Sequence, residues 1–162
     1  MVGTTHPQPT IRASDMENAT NKLWRLQASG IIGCTGTPTF TFDVRLHTTS
    51  GTLGGTVIAQ SAAITMQSGV SNQTWYLELD FGVRTVPGSA GTWSVSRGEV
   101  RSGGGFAAPY SYGLWPGGAA SDTWTVAVTT QSDLYVYIAA TCGTSNAANL
   151  IKLKGMTLDE IR

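Results

Sequence analysis

Two carboxylates, Glu78 and Asp80, are the residues in this chain best spaced for chemistry. On an extended strand, residues two apart share a face at a separation of about 6.6 Å. That overlaps the range used by inverting glycosidases, where one carboxyl protonates the leaving oxygen and the other activates water. Such a pair also needs its two pKa values driven apart, usually by a pocket that desolvates one partner. The surrounding run, Trp75-Tyr76-Leu77-Glu78-Leu79-Asp80-Phe81, gives no sign of a pocket. A solvated or subunit-facing surface, with Arg84 nearby for charge balance, accounts for both acids. The chain reads as a protein without a catalytic residue and not as an enzyme.

Other reactive side chains are sparse. The two histidines are His6 and His47. No spacing of Cys, His and Asp matches a zinc site, and no calcium-binding loop occurs. Ser102-Gly103-Gly104-Gly105 lacks the lysine and following helix of a phosphate loop, and no serine sits in a nucleophile elbow. Cys34 and Cys142 each extend the inward phase of the apolar residues before them, so both read as small core hydrophobes. No cofactor and no metal is expected.

Composition narrows the partners. Ten basic residues balance ten acidic ones, and only 12% of residues are charged, roughly half the usual share. A balanced chain has no electrostatic claim on nucleic acid or an anionic membrane. No apolar run approaches the ~20 residues of a membrane-spanning helix. Residues 1–20 lack the charged start and apolar middle of a signal peptide, so a soluble cytosolic product is expected. A net charge near zero also gives little protection against self-association.

The elements that must position these residues are strands. The sequence holds 23 Thr, 14 Ser and 20 Gly; Thr favours strands, Gly and Ser favour turns. In Trp75 to Arg84 the odd positions are apolar and the even positions carry the charges, which is the period of a sheet with one dry and one wet face. Strands are expected over 22–32, 39–48, 56–66 (with a bend or bulge in its Ala-rich middle), 75–86, 91–101, 124–130, 134–141 and 150–161. Gln131-Ser132-Asp133 reads as a tight hairpin turn, and Gly155 sits where the apolar phase of the last strand shifts, as at a bulge. About eight antiparallel strands in one domain, residues 22–162, suit an all-β sandwich. A jelly-roll is the first choice of topology and an immunoglobulin-like sandwich the second.

Three segments depart from that plan and are the candidate contact sites. In Leu134 to Ala140 the outward phase holds Tyr135 and Tyr137 although the inward phase is already apolar, so both faces must be covered. The cover is another subunit or a loop of the same chain, with a sugar-stacking platform the third option; tyrosine suits an interface, and Tyr135 and Tyr137, with Glu78, Asp80 and Arg84, form the candidate subunit interface. The segment 102–121 is long, Gly-rich and aromatic; Phe106, Tyr110, Tyr112 and Trp115 form a candidate partner-contact loop. Residues 1–21 read as an extended arm with at most a turn of helix. Its residues His6, Pro7, Pro9, Ile11 and Arg12 are a candidate anchor that could be removed without unfolding the sandwich.

The stretch Gln73-Thr74-Trp75-Tyr76-Leu77-Glu78-Leu79-Asp80-Phe81-Gly82-Val83-Arg84-Thr85-Val86, followed by a Gly-rich turn and Thr92-Trp93-Ser94-Val95, resembles small jelly-roll virion proteins of tailed bacteriophages. These decorate capsids or form head fibres and tail appendages. The likeness runs loosely from Lys22 to the C-terminus. It implies a homotrimer without a cofactor, bound to a lattice of major capsid protein and located in the virion after assembly in the host cytoplasm. The alternative is a receptor- or carbohydrate-binding module of a tail or head fibre, presenting residues 106–115 to a host surface glycan.

Overall fold

The computed structural model describes residues 8–16, 22–51, 54–85, 91–116, 125–128 and 131–161. The chain is all-β and antiparallel. Its elements are β1 (Thr10–Ile11), α1 (Ala13–Met16), β2 (Leu23–Gly33), β3 (Thr39–His47), β4 (Thr56–Ser61), β5 (Ile64–Thr65), β6 (Gln73–Thr85), β7 (Gly91–Arg101), β8 (Ser111–Pro116), β9 (Thr125–Val128), β10 (Leu134–Cys142) and β11 (Leu150–Glu160).

Nine strands lie side by side in the order β1-β10-β3-β4-β8-β7-β6-β2-β11, while β5 pairs with β3 and β9 with β7. The pairing is nested: β2 with β11, β3 with β10, β4 with β8, β6 with β7. A long antiparallel ribbon rolled upon itself has this pattern. The two halves remain hydrogen-bonded through β8, so one curled sheet encloses the core.

Alternation decides which side of each strand is dry. Trp75, Leu77, Leu79, Phe81 and Val83 of β6 are all buried, as are Phe40, Phe42, Val44 and Leu46 of β3. The centre is aromatic. Trp24, Phe81 and Trp93 lie with ring centroids 5.5–6.4 Å apart, and Phe42 packs on Trp75 at 5.2 Å. Aromatic rings at such spacing add stability beyond their buried area. Gly30 is needed beside them, since a Cβ there would lie 1.9 Å from the Lys152 carbonyl oxygen and 2.7 Å from the Trp75 ring.

The structure adds to the strand plan in two places and corrects it in two. β1 and β8 are additional strands; β8 falls inside the segment expected to be loop. The expected 56–66 strand breaks at the exposed Ala62 and Ala63 into β4 and β5, and the expected bulge is present, with the β2–β11 register shifting between Leu153 and Gly155. The hairpin expected at 131–133 is not one. β9 pairs with β7 and β10 with β3, so these residues cross from one half of the sheet to the other.

The second correction concerns the arm. Residues 8–16 dock on their own sandwich instead of extending from it. Thr10 and Ile11 pair with Tyr135 and Leu134, and the Pro9 carbonyl accepts from the Val136 N–H at 2.9 Å. The Asp133 carboxylate accepts from the Ala13 N–H at 2.9 Å, and Gln8 Oε1 accepts from the Gly51 N–H at 3.0 Å. Ile11 and Met16 sit in the core. Pro9, Ile11 and Arg12 of the candidate anchor therefore belong to this docked segment; His6 and Pro7 lie outside the described residues.

Candidate functional site

Glu78 and Asp80 project from the wet face of β6, where cross-strand registers build three rows. One row runs Asp159, Arg25, Asp80, Arg97; the next Thr157, Gln27, Glu78, Glu99, Gly113; the third Gly155, Ser29, Tyr76, Arg101, Ser111. Asp80 is engaged in a two-pronged ion pair: Arg25 Nε meets Oδ1 and Nη2 meets Oδ2, both at 2.8 Å. The hydrogen bond from Arg25 holds the Asp80 carboxyl below its ordinary pKa, against the opposing effect of burial, and raises that of the guanidinium. Asp80 is thus kept as a carboxylate, the wrong state for a general acid. Glu78 accepts from Gln27 Nε2 at 3.1 Å and lies 3.5 Å from Arg97 Nη1.

Between these rows runs a groove of about 360 Å³, lined by Gln27, Ser29, Tyr76, Glu78, Arg97, Glu99, Arg101 and Thr157 among others. Tyr76 is the most exposed large apolar residue there, at 51%. The sequence reading did not single it out. Its even position, among the outward-facing acids, was the available signal. Arg84 is exposed near the end of β6, away from these rows.

The remaining candidates divide. Tyr137 is buried, and the cover comes from its own chain: its hydroxyl donates to the Gly54 carbonyl in the β3–β4 connection. Burial pushes its pKa up. Tyr135 is half-buried between Thr10 of β1 and His47 of β3. Phe106 is a core residue, bridged to Met66 and stacked edgewise on Phe42 and Tyr112. Tyr112 is half-buried, with its hydroxyl donating to the Ala107 carbonyl at 3.4 Å. Tyr110 and Trp115 are exposed, each at 46%, and the Trp115 indole lies over Gly113. The aromatic segment is therefore not one platform. Two of its four rings close the core and two face out.

A further feature is the seam between the ends of the curled sheet. Beyond Val136, β10 has no partner strand on its outer side among the described residues, and β11 pairs with β2 alone. Their inward side chains, Ile138, Ala140 and Cys142 on one edge and Ile151, Leu153, Met156 and Leu158 on the other, are only partly buried against the core. Both cysteines are free thiols, and burial raises the Cys34 pKa. Among the described residues no group of three or more His, Cys, Asp or Glu could hold a metal ion. No family model, curated protein or solved structure matches the chain.

Proposed function

We propose that this chain is a structural virion protein of the capsid-decoration type, which assembles as a homotrimer and reinforces a shell by contact, without chemistry. The observation that carries the assembly part is the seam. Two strand edges carry main-chain groups with no partner strand among the described residues, beside half-exposed apolar side chains, a combination that invites pairing with another chain. A second copy is the occupant the chain itself supplies, and a net charge of zero does not oppose its approach. The virion assignment rests on the resemblance of residues 73–95 to phage decoration proteins.

Contacts of this kind act by area. Burying apolar surface contributes about 25 cal/mol per Å², and much of that is offset by lost freedom on association. A modest contact repeated around a shell is therefore the way such a protein reinforces it. The experiment is co-sedimentation with phage heads stripped of their decoration protein. Saturable binding at a fixed number of copies per capsomer is the expected result. Protein left wholly in the supernatant contradicts the assignment.

A glycan-binding module is the second reading. It is favoured by the exposure of Tyr76, Tyr110 and Trp115, rings of the kind that stack on sugars.

A further inference from the structure

The wet face of β6 and β7 holds an arrangement that the fold does not need. Glu99 stands directly opposite Glu78 across the ladder, and like charges so placed are destabilising. Glu78 is relieved by Gln27 and Arg97. Glu99, Arg101 and the Tyr76 hydroxyl make no ion pair or side-chain hydrogen bond among the described residues, although Glu99 and Arg101 share a face two residues apart. All three line the groove of about 360 Å³, a size within the roughly 300–1,000 Å³ typical of small-molecule sites. Ser29 and Gly155 occupy the rest of Tyr76's row on one side, and the Tyr76 side chain is half exposed.

We infer that this groove binds a neutral, hydroxyl-rich carbohydrate. Two carboxylates and two guanidiniums cancel, so neither a polyanion nor a cation finds a net field there. A carboxylate only accepts, a guanidinium only donates, and the Gln27 amide does both. A pair of neighbouring sugar hydroxyls can satisfy both kinds of group at once. Hydroxyls donating to Glu78 and Glu99 would also relieve the repulsion between them. The half-exposed Tyr76 ring offers an apolar face to the C–H face of a pyranose. A local rule broken with no structural gain is expected at a functional site. The groove shares β11 with the seam, through Gly155, Met156 and Thr157, but the inference does not rest on the assembly reading.

The test is titration of the full chain with maltohexaose, cellohexaose, chitohexaose and mannohexaose, followed by amide NMR shifts. At least one should bind saturably, moving amides of residues 76–78 and 99–101. Tyr76→Ala should weaken that binding about tenfold, the scale of one aromatic contact. Glu99→Gln should weaken it as well while raising the melting temperature, because it removes the Glu78–Glu99 repulsion. A merely structural glutamate would not couple those two effects in opposite directions. Absence of binding by all four at millimolar concentration would overturn the inference. So would shifts centred on Tyr110 and Trp115, a stronger response to heparin, or a Glu99→Gln variant that binds as the wild type does.

Discussion

Arg25 and Asp80 meet side by side across the β2–β6 ladder, with two nitrogens 2.8 Å from two oxygens. The fork of a guanidinium matches a carboxylate in this way only when the two side chains are held in register. Because the pair lowers the folded-state pKa of Asp80, its stabilisation is complete above the unfolded value of about 3.9 and is lost as pH falls through the lower folded one. Asp80→Asn should therefore lower the melting temperature near pH 7 by roughly 2–4 °C. That difference should close below about pH 4, as thermal melts across pH 2–8 would reveal. A difference that persisted in acid would mean that shape, not charge, sets the effect. At this scale the sequence was partly legible. Parity placed Glu78, Asp80 and Tyr76 on the wet face. It could not place Glu99 opposite Glu78, because the register shift between Asp80 and Phe81 in the β6–β7 ladder is visible only once the strands are paired.

β1 shows what a two-residue strand can do. It is too short for any periodic signal, yet it seats Ile11 in the core and, with α1, brings in Met16. Burying a side chain of that size contributes about 1.5–3 kcal/mol, so an arm read from composition as detachable is part of the fold. Deletion of residues 1–21 should cost at least about 3 kcal/mol for these two side chains, and Ile11→Ala alone about 2–4 kcal/mol. Urea unfolding midpoints would measure both. An unchanged midpoint in the deletion would restore the free-anchor picture. β8 escaped the sequence for a different reason. Tyr112, Leu114 and Pro116 do face inward, but Gly113 and Pro116 are turn formers, and the glycines before them gave the whole segment the look of a loop. By contrast, β3, β6 and β10 announced themselves through apolar side chains at a period of two, Phe40 to Leu46, Trp75 to Val83 and Leu134 to Ala140. The crossing at 131–133 was misread because a short polar link between two strands has the same composition whether it turns a hairpin or changes sheet.

Among the described residues, rolling the ribbon buries one aromatic core but leaves the sheet's two ends unjoined. The central claim is that copies of this chain close that seam for one another. Leu158, half-buried on the inward side of β11 and outside the groove, tests the location: Leu158→Lys should yield a folded monomer whose melting temperature stays within a few degrees of its parent's, measured by size and by thermal melt together. A variant that unfolded, or one that assembled unchanged, would move the interface elsewhere. The most direct measurement is the molar mass of the wild-type chain in solution by light scattering. The account predicts a single species of three chain masses across a wide dilution range. A stable species of one chain mass would contradict it.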